Sequence, residues 1–277
     1  VTTIAPGRLA GLAGACHPGP TVAVTGLVTA LAAIAGRDPA GCALVAAAVL
    51  AGQLSVGWSN DAVDATRDAA AGRTSKPVVS GAVRAGALWR AALIALACCV
   101  PLSLASGVEA GAAHLVGVAA AWAYNLGLKA TALSWLPYAV GFGSLPAFVA
   151  LGLPGAPWPA WWAVSAAALL GVGAHLANVL PDIEDDLAAG VRGGPQRLGA
   201  GRVRVMLPLP LLAATVVLVV GADLGAAGWA GLGAALLPAG AGIAAARRSP
   251  RAPFWAAVAV TAVDVALLLA AGGDITR

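Results

Sequence analysis

Long apolar runs broken by short polar stretches occupy most of the chain. Segments of about the length needed to cross a bilayer as a helix fall at roughly 20–36, 41–59, 85–104, 110–128, 132–153, 159–180, 204–221, 225–246 and 253–272. Ala and Gly dominate them, as suits close helix–helix approach in lipid. The Pro residues and Gly pairs inside them would weaken soluble helices but are tolerated in a membrane bundle. The pattern predicts an all-α polytopic membrane protein, a bundle of about nine transmembrane helices.

Composition agrees. The chain is 60% hydrophobic and 10% charged, with a mean hydropathy of +0.87, outside the soluble globular range. The sparse charge is strongly sided. With nine spans, one face receives Arg8, Arg67, Arg73, Lys76, Arg84, Arg90, Lys129, Arg192, Arg197, Arg202, Arg204, Arg247, Arg248 and Arg251, and the other only Arg37 and Arg277. By the positive-inside rule the richer face is cytoplasmic, so the expected location is the plasma or inner membrane. These cations are scattered among loops instead of forming a stripe interleaved with aromatics, which argues against nucleic acid as a partner. The first twenty residues lack a long apolar core and contain Pro6, Arg8, His17, Pro18 and Pro20, so no cleavable signal is expected there. Cys16, Cys42, Cys98 and Cys99 show no metal-ligand spacing.

Candidate chemistry sits where two apolar runs end on the positive face. Asn60–Asp68 and Asn178–Asp186 share one spacing, an Asn followed by Asp four and eight residues later. On a helix such positions drift by about 40° per step, so the three side chains project from nearly one face. Asp61, Glu184 and Asp185 diverge from these triads. Each cluster is followed by cations: Arg73 and Lys76 after the first, Arg192 and Arg197 after the second. Clustered carboxylates at a membrane need compensation, and a divalent metal supplies it. Magnesium favours oxygen donors and commonly binds through carboxylates plus substrate phosphates, whose remaining oxygens Arg and Lys can meet. A third loop on the same face adds Tyr124 and Lys129.

These residues resemble the UbiA superfamily of intramembrane prenyltransferases. Asn60-Asp61-x-x-Asp64-x-x-x-Asp68 with Arg73-x-x-Lys76-Pro77 matches its first Asp-rich motif, Asp182-x-x-x-Asp186 its second, and Tyr124/Lys129 its Tyr-Lys pair. The resemblance implies one UbiA-type domain over residues 1–277, a helical bundle around a central cavity with cytoplasmic cap loops. It implies that Asn60, Asp64, Asp68, Asp182 and Asp186 hold two or more Mg²⁺ ions bridging a diphosphate, assisted by Asp61 and Asp185. Arg73, Lys76, Lys129 and Tyr124 would contact phosphate oxygens, with Asn178, Arg67 and Arg192 as further candidates. The implied activity is transfer of an isoprenyl group from an allylic diphosphate to a lipophilic or aromatic acceptor. A terpene cyclase working without acceptor, and a transporter of a metal or anionic lipid, are the alternatives.

Other polar residues read two ways. His175 either faces the cavity or is a packed, hydrogen-bonded histidine, and Asp264 inside the last span is either functional or protonated and bonded to its own bundle. Trp158, Trp161 and Trp162 suit a membrane interface, while Trp58 and Trp122 lie near the motifs. The face preceding Asn60 (Val49, Gln53, Val56, Gly57) offers no cation for an acceptor carboxylate, which disfavours a benzoate-like acceptor.

Overall fold

The computed structural model describes residues 8–246, 249 and 251–276, without the side chain of Arg8. Arg247, Arg248 and Arg277, assigned above to opposite faces, lie outside the described residues. Helix is the regular structure throughout, as the Ala-rich and Leu-rich runs require. The elements are α1 (Arg8–Ala15), α2 (Pro18–Ile34), α3 (Pro39–Ala70), α4 (Ala85–Leu104), α5 (Val108–Leu126), α6 (Leu136–Leu151), α7 (Trp161–Val179), α8 (Ile183–Ala188), α9 (Gly194–Leu198), α10 (Ala200–Met206), α11 (Pro208–Gly221), α12 (Gly225–Ala245) and α13 (Ala252–Ala270).

Each of the nine expected spans coincides with one of the longer helices, α2 to α7 and α11 to α13. Among the described residues, six helices are long and apolar enough to cross a membrane, or seven if the bent pair α1–α2 counts as one. The expected nine crossings are therefore not established by length and composition. At 16 residues α6 is short, and α5 carries Glu109, His114, Tyr124 and Asn125 within its 19.

Two local features shape the motif-bearing helices. Asp38 caps α3, its Oδ1 accepting from the Gly41 amide at 2.8 Å, with Pro39 at the first helical position. The helix then runs unbroken for 32 residues, so Asn60, Asp64 and Asp68 lie within it and not in a following loop. By contrast α7 stops at Val179, and Pro181, which has no amide to donate, sits in a 3₁₀ turn over Leu180–Asp182 before α8 resumes.

Packing follows chain order around a ring: α2 on α3, α3 on α4, α5 on α6, α6 on α7, α7 on α11, with α13 closing against α11 and α2. Small residues permit this. A Cβ at Gly57 would lie 2.6 Å from the Cys16 carbonyl, so α3 can meet the α1–α2 bend only through glycine, and Gly171 admits the Tyr138 carbonyl of α6 in the same way. Buried Trp162, Phe148, Leu211 and Leu218 fill the core between these contacts.

At the end opposite the acidic motifs, Arg37 in the α2–α3 turn donates to the Gly152 carbonyl at 2.5 Å and to the Ser106 carbonyl and hydroxyl, each at 3.4 Å. It meets the C-terminal ends of α4 and α6, where unpaired carbonyls and the helix dipole favour a cation. Burial pulls its pKa below the usual guanidinium value. Arg37→Ala should destabilise the bundle by about 2 kcal/mol, the scale of a charge-assisted hydrogen bond, with Arg37→Lys recovering part of the loss. Thermal unfolding in detergent measures both.

Candidate functional site

The two acidic motifs meet at one end of the bundle over a cavity of about 460 Å³. Residues of α2, α3, α5, α6, α7, α8 and α9 line it, with segments that connect them. Its mouth carries Asn60, Asp64, Asp68, Asp182 and Asp186 with Arg67, Arg73, Lys76 and Lys129. Below them the walls turn apolar, with Val24, Val56, Val118, Phe142 and Leu145. Tyr124 and Tyr138 line the transition, their rings edge to face at a centroid distance of 5.2 Å.

Ion pairs bind the mouth together. Arg67 reaches Asp64 at 2.7 Å from the next turn of α3, and Lys129 bonds the same Asp64 carboxylate. Arg73 lies 3.3 Å from Asp68 and 3.9 Å from both Asp182 and Asp186, so one guanidinium spans both motifs. Burial draws the Lys129 pKa below the usual lysine value, partly opposed by Asp64.

Not every expected residue faces the cavity. Asp61 is sealed behind the mouth, 1% exposed, 2.6 Å from Lys76 Nζ and 3.1 Å from His17 Nε2. Lys76 and His17 line the cavity while Asp61 does not. Asp185 and Arg192 are exposed and also lie off the cavity wall. Asn178 does line it and donates to the Tyr138 hydroxyl at 3.3 Å. His175 is the packed alternative: it is buried, its Nε2 is 3.1 Å from Ser134 Oγ, and its ring meets Tyr124 and Tyr138. Asp264 lies fully buried between α11 and α13, accepting from Thr215 at 2.6 Å.

Two contributors escaped the sequence reading. Gln196 in α9 is 5% exposed, lines the cavity, and donates its amide to Asp186 Oδ2 at 2.8 Å. Asn125 accepts from Asn60 at 3.1 Å while donating to the Val56 carbonyl and Ser59 hydroxyl of α3. Neither belongs to an acidic cluster. Asn125 directly follows Tyr124, and that adjacency was the available signal.

Among the described residues no three His, Cys, Asp or Glu side chains already surround one metal-sized point. The carboxylates stand apart with cations between them, which suits separate ions completed by a ligand's oxygens more than one closed cage. Asp68 Oδ2 is buried at the mouth without a hydrogen-bond partner, an open anionic oxygen of the type Mg²⁺ prefers. The residues fit such ions.

The UbiA prenyltransferase family model matches residues 20–258. The chain belongs to that family. Its fold resembles an apo UbiA homologue from Aeropyrum pernix K1, at 21% identity and a TM-score of 0.73, over 91% of this chain and 98% of the other. It also resembles a digeranylgeranylglyceryl phosphate synthase, at 13% identity and a TM-score of 0.71, over 96% and 99%. A UbiA homologue from Archaeoglobus fulgidus bound to GPP and Mg²⁺ matches at 15% identity and a TM-score of 0.66, over 94% and 99%. A search of curated proteins returned no match. For this UbiA-family chain the support Gln196 gives Asp186 has a measurable consequence. If Asp186 ligates Mg²⁺, Gln196→Ala should raise the Mg²⁺ concentration needed for half-maximal effect about tenfold, the usual cost of losing a ligand's outer partner. Titrating Mg²⁺ against substrate binding reads it directly.

Proposed function

We propose that this protein is a Mg²⁺-dependent intramembrane prenyltransferase that ionises an allylic isoprenyl diphosphate and transfers the prenyl group to a lipophilic or aromatic acceptor, releasing diphosphate. The observation that carries this is the single cavity whose mouth joins both Asp motifs to four cations and whose body is apolar. A diphosphate matches the first part and an isoprenoid tail the second.

On this reading Asn60, Asp64 and Asp68 from α3, and Asp182 and Asp186 across the mouth, hold Mg²⁺. Bound there, Mg²⁺ would supply neutralisation of the charge that builds on the departing diphosphate. Arg73 and Lys129, paired with those carboxylates without ligand, then turn toward phosphate oxygens, joined by Lys76, Arg67, Tyr124 and Asn178. Heterolysis of the bond between the first prenyl carbon and oxygen leaves its electron pair on diphosphate, where these donors, already turned toward it on binding, stabilise the charge. The prenyl cation forms against Tyr124, Tyr138 and Phe142, whose ring faces favour positive charge. The apolar wall keeps water from quenching it. Asp61 serves as the counter-ion of Lys76 and takes no part in metal binding. The positive-inside bias supports a cytoplasmic mouth.

The same three aromatic rings support a second reading, an acceptor-free terpene cyclase. Detergent-purified protein incubated with geranyl, farnesyl or geranylgeranyl diphosphate separates the two: a cyclic product without acceptor identifies a cyclase, and turnover only with acceptor identifies a transferase. Mg²⁺-independent turnover, or none under any condition, would overturn both. Asp64→Asn and Asp182→Asn should each lower turnover at least about 100-fold with the fold intact, since each removes a charge from metal coordination. Lys76→Ala should raise the apparent KM for the diphosphate about tenfold with a smaller change in kcat, the loss of one charge-assisted contact.

A further inference from the structure

The floor of the cavity is polar, and the reading above leaves it unused. His114 of α5 is 3% exposed and lines the cavity with Gly52 and Gln53. Its ring stacks on Phe148 at a centroid distance of 4.6 Å. Ser103 Oγ lies 2.7 Å from the Cys99 carbonyl and 2.8 Å from His114 Nδ1. A hydroxyl has one proton to give, and a carbonyl can only accept. That proton therefore goes to Cys99, and Ser103 accepts from His114 Nδ1–H. In the neutral imidazole this leaves Nε2 as a bare acceptor, on the ring edge that faces Gly52, where both residues border the cavity.

A pure hydrocarbon tail cannot satisfy that acceptor, and covering it with hydrocarbon would strand it. From Asp64 down to Gly52 the α3 axis falls by about 18 Å. An extended carbon chain advances about 1.2 Å per bond, so an isoprenoid anchored at the mouth reaches the floor after about three to four units. We propose that the cavity floor is a hydroxyl-binding subsite in which His114 Nε2 accepts a hydrogen bond from an O–H of the bound substrate, at the end remote from the diphosphate. The hydroxyl belongs either to the far end of the prenyl chain or to a second molecule beside it. This inference rests on the diphosphate reading for the placement of the chain.

Calorimetric titration of detergent-purified protein with Mg²⁺ tests it. The probes are farnesyl and geranylgeranyl diphosphates with and without a hydroxyl at the terminal carbon, and dodecanol as a diphosphate-free alcohol. His114→Phe keeps the ring stack and removes the acceptor. The expected result is binding of a hydroxylated diphosphate about fivefold to tenfold tighter than its parent, one hydrogen bond's worth, with the preference erased in His114→Phe. If instead only dodecanol binding to farnesyl-diphosphate-loaded protein weakens fivefold in the variant, the hydroxyl belongs to the second molecule and the subsite stands. Unchanged affinities in the variant for every probe would overturn the proposal and leave His114 as a tether of α4 to α5. Should His114→Phe fail to fold, Ser103→Ala frees the tautomer and should reduce the same preference; an undiminished preference there counts against the proposal. If no prenyl diphosphate binds wild-type protein, the diphosphate reading fails, while the dodecanol arm on unloaded protein still tests the floor.

Discussion

Carboxylates gathered at the end of an apolar bundle repel one another and resist desolvation, so fixed cations must hold them. Arg73 does most of this, touching Asp68 and reaching toward Asp182 and Asp186 across the mouth. Lys129 and Arg67 do it for Asp64, and Lys76 with His17 for Asp61. Removing one partner from such a network leaves an uncompensated charge, which costs more than the pair contributes. The joining of motifs about 118 residues apart in the chain rests on this neutralisation as much as on helix packing.

Much of the architecture was legible because its signals are periodic or compositional. Each apolar run became a helix, and the charge bias placed Arg67, Arg73, Lys76 and Lys129 at one end and Arg37 at the other. All six side chains of the shared Asn/Asp spacing line one cavity. Helix boundaries were harder. The apolar run ends at about residue 59, yet α3 continues to Ala70 because much of its buried face there is supplied by ion-paired aspartates.

Contacts between distant segments were not legible. Asp61 sits on the same short helical stretch as Asp64, but its direction about the axis takes it to Lys76 and His17, a pairing set by how the α1–α2 bend packs on Gly57. Gln196 reaches Asp186 only because the polar segment after α8 folds back over the mouth, where Gly193 and Gly194 pass close to Ser134 and Lys129. Asn125, Ser103 and His114 are ordinary polar residues in sequence. The Asn60–Asn125 and Ser103–His114 hydrogen bonds join different helices, and no local pattern encodes them.

The two motifs, alike in spacing, differ in mechanical backing. The first is carried by a helix without a break, seated on its neighbours from Asp38 to Ala70. The second spans a joint: Asn178 belongs to α7, Asp182 ends the 3₁₀ turn made by Pro181, and Asp186 rides on a six-residue helix tied back through Gln196. One side of the mouth is thus an anvil and the other a jaw. A displacement of the jaw to suit ligands of different bulk would leave the packed seams between the long helices closed. A protein built from near-identical recognition elements obtains from a single proline a fixed reference and a compliant partner.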